Sequence, residues 1–79
     1  MKVLIIEDEK LLADSIRSVL ERNGFEAECV YDGEAGVEYA ELGIYDLLIL
    51  DVMMPKMNGL SALMKIREKN NIPIIMLSA

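Results

Sequence analysis

The chain has 79 residues, 53 % of them hydrophobic and 28 % charged, with a formal net charge of −6. That length admits one small domain, which buries only about 60–65 % of the surface its unfolded form exposes, so the core has little margin. Asp and Glu outnumber Lys and Arg 14 to 8, which argues against direct binding of nucleic acid, because phosphate contacts need cations.

The hydrophobic fraction exceeds that of ordinary soluble domains, so part of the apolar material is written either for thorough packing or for another surface. Cys29 stands alone, which excludes an intrachain disulfide or a Cys-based zinc site and suits a reducing cytoplasm. The opening apolar run is stopped by Glu7-Asp8-Glu9 well short of a signal-peptide core. The apolar stretch from Ile72 to Leu77 is short and interrupted by Pro73, so no membrane span is expected.

In chain order, Val3 to Ile6 reads as a strand buried on both faces. Leu12, Ile16, Val19 and Leu20 then recur at helical spacing, and Asn23-Gly24 supplies the stop. Phe25, Ala27 and Cys29 alternate with Glu26 and Glu28, the pattern of a strand with one wet face at a sheet edge. Asp32 is placed to cap a second helix, with Glu34 in its first turn and Ala35, Tyr39 and Ala40 on one side, ending near Gly43. Leu47 to Leu50 is another fully apolar strand. Asn58 caps a third helix with Leu60, Leu63, Met64 and Arg67 on one face, closing at Asn70-Asn71. Ile74 to Leu77 is the last strand. The order β-α-β-α-β-α-β implies right-handed crossovers and a doubly wound α/β parallel sheet with helices on both faces.

In such a sheet the strand C-termini share one edge, and ligands bind outside it. The first strand runs into Glu7-Asp8, the third into Asp51 and the fourth into Ser78. Singly, each has an ordinary reading: a turn residue, a charge at a helix N-terminus, a terminal serine. Jointly they deliver three carboxylates and a hydroxyl to one rim. Carboxylates so gathered repel, and one takes up a proton unless a cation neutralises them. Hard oxygen ligands suit Mg²⁺. A metal-neutralised aspartate beside a hydroxyl can accept a phosphoryl group as an acyl phosphate.

Asp51-Val52-Met53-Met54-Pro55 followed by Gly59, with Glu7-Asp8 after the first strand and Ile74-Ile75-Met76-Leu77-Ser78-Ala79 at the end, resembles a response-regulator receiver domain of two-component signalling. It is most similar to the receivers attached to winged-helix transcription factors. The resemblance covers essentially the whole chain and implies a flavodoxin-like sheet of strand order 2-1-3-4. It implies Asp51 as phosphoacceptor from a histidine kinase, Asp8 as a direct Mg²⁺ ligand, and Glu7 as a ligand directly or through water. It further implies the backbone carbonyl of Met53 as a metal ligand and Ser78 as the switch hydroxyl that hydrogen-bonds a phosphoryl oxygen. Pro55 and Gly59 would shape the loop after the acceptor.

Receivers continue past the Ser/Thr-Ala with a helix, a fifth strand ending in a phosphoryl-pairing lysine, and a fifth helix. The sequence is therefore read as one incomplete receiver domain over 1–79, truncated after the fourth strand, with phosphorylation impaired by the missing cation. Lys56 is read as a solvated loop charge, not a replacement. An exposed fourth strand and uncovered sheet face predict a homo-oligomer. The alternative is a receiver-derived half-domain that self-associates and has no phosphorelay activity. A phosphatase of the Asp-x-Asp type is excluded by Met53, whose side chain can neither donate nor accept the required proton.

Overall fold

The structure is a computed structural model, and it describes residues 1–77. Seven elements follow in order: β1 (Lys2–Ile6), α1 (Lys10–Arg22), β2 (Glu26–Val30), α2 (Gly33–Ala40), β3 (Leu47–Asp51), α3 (Gly59–Arg67) and β4 (Ile74–Leu77). The four strands pair in parallel in the order β2-β1-β3-β4, the doubly wound, flavodoxin-like arrangement expected.

The strands alternate their side chains between two cores. Val3, Ile5 and Ile49 meet Ala13 of α1 and Ala27 of β2 on one face. On the other, Leu4, Ile6, Leu48 and Leu50 meet Ala40 of α2, and Ala62 and Ile66 of α3. All four apolar side chains from Val3 to Ile6 are fully buried, as a central strand between two helix layers requires. β2 sits at one edge with Glu26 and Glu28 exposed and Ala27 buried. β4 sits at the other edge, and its Ile75 is 51 % exposed.

The caps fall where the sequence places them. Gly24 adopts φ 88°, the left-handed conformation that ends α1, and its N–H reaches the Glu21 carbonyl at 3.1 Å. Asp32 accepts the Ala35 N–H at 2.8 Å and Asn58 the Ser61 N–H at 2.9 Å, each satisfying a donor that its helix leaves unpaired.

The buried faces of the helices differ in part from expectation. In α3 the buried residues are Gly59, Ala62 and Ile66, with Leu63 packed against them. Leu60 and Met64, read on one face with Leu63, are 56 % and 70 % exposed, and Arg67 is exposed. In α1 the expected Ile16 and Leu20 pack on the core beside buried Ala13, while Leu12 and Val19 face outward. In α2 the expected Ala40 is buried and Ala35 packs on the core, joined by Gly33 and Gly36, while Tyr39 is exposed. Small residues sit at the closest approaches, Ala13 in α1, Gly33 and Gly36 in α2, Gly59 and Ala62 in α3, with Ile16, Leu20, Leu63 and Ile66 packed beside them. No helix among the described residues is long and apolar enough to cross a membrane.

Candidate functional site

Parallel pairing sets Ile6 of β1 opposite Leu50 of β3, so the next residues, Glu7 and Asp51, leave the sheet side by side. The chain winds from β1 outward to β2 and later from β3 outward to β4, and the crevice between β1 and β3 is the topological switch point where such folds bind ligands. Glu7, Asp8 and Asp51 meet there, each placing a carboxylate oxygen within 4.8 Å of the others. They form one side of a cleft of about 560 Å³, walled by Leu12 of α1, Met53 and Leu77.

The three carboxylates sit in different environments. Asp8 is exposed and Asp51 half-buried, whereas Glu7 is only 3 % exposed. The Glu7 backbone N–H is tied to the Val30 carbonyl at 3.1 Å, which pins the residue to β2, and its carboxylate accepts the Glu9 N–H at 3.1 Å. Burial pushes the Glu7 carboxyl up to about 7. The Glu9 N–H opposes that rise, and the neighbouring carboxyls of Asp51 and Asp8 add to it. Burial first, and the neighbouring carboxyls second, thus hold the Glu7 carboxyl toward neutrality when no cation is supplied.

Asp51 accepts the backbone N–H of Met53 at 3.1 Å, which sets the carboxylate's orientation. The Val52 N–H donates to the Leu77 carbonyl at 2.9 Å, joining the loop after Asp51 to β4. Pro55 lies exposed in this loop, and Gly59 closes it by donating its N–H to the Val52 carbonyl at 2.9 Å. The Met53 side chain is 69 % exposed at the cleft. Ser78 lies outside the described residues. Neither the Glu9 N–H nor the Leu12 wall is marked by a sequence motif. Both follow from α1 starting immediately after Glu7-Asp8, a placement that strand-end motifs alone do not reveal.

Three hard carboxylate oxygens around one point, with a cleft large enough for water and a further anion, fit Mg²⁺ better than a soft or strictly tetrahedral metal. The donor set therefore passes the chemical test for that ion.

This fold, with an acidic cluster at its switch point, defines a class of signalling module. A family model for the response regulator receiver domain matches residues 3–79, and the chain belongs to that family. It is 44 % identical over 80 residues to the transcriptional regulatory protein DltR of Streptococcus agalactiae, covering 100 % of this chain and 36 % of that protein. To the transcriptional regulatory protein CpxR of Escherichia coli it is 40 % identical over 78 residues, covering 99 % of this chain and 33 % of the relative. The chain thus spans about a third of the length of these curated relatives. Among solved structures, the response regulator TrrA of Thermotoga maritima, in complex with Mg²⁺ and a beryllium fluoride, superposes with a TM-score of 0.93 at 33 % identity, over 99 % of this chain and 69 % of that one. A Francisella response regulator receiver domain gives 0.92 at 37 % identity, over 99 % and 65 %.

Proposed function

We propose that this chain is the phosphoacceptor module of a two-component response regulator, taking a phosphoryl group from a histidine kinase onto Asp51 with Mg²⁺ at the adjacent carboxylates. The observation that carries the reading is the meeting of Glu7, Asp8 and Asp51 within 4.8 Å at the switch point. The beryllium fluoride complex of the TrrA relative supports it.

Asp8 would hold the ion directly, Glu7 directly or through water, and the Met53 carbonyl would add a further oxygen. Mg²⁺, when bound, draws off charge on the incoming phosphoryl oxygens. A carboxylate oxygen of Asp51 attacks phosphorus, and the new O–P bond forms as the bond to the kinase's imidazole nitrogen breaks, with the electron pair leaving on that nitrogen. The Met53 N–H holds the carboxylate's orientation during approach. Ser78 donates a hydrogen bond to a phosphoryl oxygen, and Pro55 and Gly59 shape the loop. The module acts as a cytoplasmic switch, not a turnover enzyme, and serves a transcription regulator like its curated relatives.

Incubation with acetyl phosphate and Mg²⁺, followed by intact mass, tests this. Wild type gains one phosphoryl group and Asp51→Asn does not. A wild type that stays unmodified while binding Mg²⁺ would instead favour a structural role.

A second reading concerns assembly. Among the described residues, β4 pairs only with β3 and exposes half of Ile75, an edge suited to a second copy of this chain. Light scattering after size exclusion decides it: a dimer at micromolar concentration supports the pairing, and a stable monomer overturns it.

A further inference from the structure

Helix α2 contains glycine at two of its eight positions, Gly33 and Gly36, and both are buried. Neither is among the glycines of positive φ, so the backbone conformation does not call for glycine. Helix propensity argues against it, since glycine is the poorest helix former after proline. What calls for it is space. A Cβ on Gly36 would lie 2.7 Å from Cδ1 of Ile6, and one on Gly33 would lie 2.9 Å from both Cβ and the carbonyl oxygen of Met57.

These two neighbours are not arbitrary parts of the core. Ile6 immediately precedes Glu7, and Met57 lies in the loop that runs from Asp51 to α3. The helix therefore bears on both segments that carry the acidic site. At Gly36 the close atoms all belong to the Ile6 side chain. At Gly33 one of them is a backbone oxygen, so an added Cβ has to displace the loop itself. That loop is short and held at both ends, by the Met53 N–H on the Asp51 carboxylate and by the Gly59 N–H on the Val52 carbonyl. Tightly packed segments pass such a displacement on instead of absorbing it.

We propose that Gly33 is a positioning residue: from α2 it seats Met57 and so sets the loop that orients the Asp51 carboxylate. Its consequence for metal and phosphoryl binding rests on the function proposed above.

The test is Gly33→Ala in the 79-residue chain. Propensity alone predicts a firmer helix and an unchanged site. Positioning predicts altered amide resonances for Met53, Met57 and Gly59 in ¹H–¹⁵N spectra. It also predicts Mg²⁺ affinity weaker by about tenfold, the low end of what losing an outer support costs a metal site. Ala40→Gly weakens the same helix at its far end, and should leave the Met53 amide and the Mg²⁺ affinity as in wild type. Equal losses in the two variants, or an unmoved Met53 amide in folded Gly33→Ala, overturn the proposal. Should Gly33→Ala not fold, Met57→Ala removes the same seat from the loop side, and a silent Met53 amide there is equally fatal. If wild type fails to bind Mg²⁺, the reading of the site falls, and the amide comparison still decides whether Gly33 positions the loop.

Discussion

Gly59 rests against the backbone of Asp51: a Cβ built on it would lie 2.2 Å from the Asp51 carbonyl oxygen and 2.6 Å from Cα of Val52. The first residue of α3 is thus in contact with the main chain of the acidic residue at the end of β3, and its N–H closes the intervening loop on Val52. No flexible side-chain end is available to yield, since the close atoms are all backbone.

Gly59→Ala is accordingly expected to destabilise the protein by about 1–3 kcal/mol or more through overpacking, against a helix-propensity gain of at most about 1 kcal/mol. Urea unfolding reads this as a lower midpoint. An unchanged or raised midpoint would mean that the contact is easily relieved.

The pH dependence of the metal-free protein follows from Glu7, whose carboxyl rises from 4.5 to about 7 on folding. The folded state then binds more protons than the unfolded state between those values. Its contribution to stability is fully present below 4.5, falls as pH rises, and is lost through about 7. In chelator, the melting temperature of wild type should decline across this window relative to Glu7→Gln, which has no such proton to lose. Parallel profiles for the two proteins would contradict the assignment.

Mg²⁺ should reverse that decline, because it favours the ionised carboxylates. Ligand bound only by the folded state stabilises it by about 2.7 kcal/mol at a hundredfold excess over Kd. The melting temperature at pH 8 should therefore climb with Mg²⁺ concentration in wild type and climb far less in Asp8→Asn. Equal Mg²⁺ responses in both would remove Asp8 from the ligand set.

The orientation of α3 is checked by a pair of truncations. Ile66→Ala, at a buried position, should cost about 2–5 kcal/mol. Met64→Ala, at an exposed one, should stay within about 0.5 kcal/mol. Similar costs for both would return Met64 to the core.

The cap at Asn58 provides a local test of the same region. Asn58→Ala leaves the Ser61 N–H without its acceptor and should lower stability by about 1 kcal/mol, seen as a modest shift in the urea midpoint with an unchanged slope.

Much of this was written in the sequence because it depends on neighbours along the chain. Apolar runs fixed β1 and β3 as central strands, Asp32 and Asn58 announced the caps, and Gly24 announced the end of α1. The placing of Glu7, Asp8 and Asp51 on one rim followed from parallel strands ending together. Helix rotation was not legible in the same way. Periodicity grouped Leu60 and Met64 with Leu63 on one face of α3, whereas the structure buries Gly59 and Ala62, because a tally of apolar side chains contains no information about how closely a helix must approach its sheet.

By itself, then, the sequence determined the element order, the caps, the acidic triad and the resemblance that names the family, since each is a matter of local pattern or strand polarity. The tertiary structure alone decided which helix faces turn inward, that Glu7 rather than Asp8 or Asp51 is the buried carboxyl, and that Gly33 and Gly59 press on the loop after Asp51. Those facts depend on distances between segments far apart in the chain. Such distances are set only when the two cores close around the sheet.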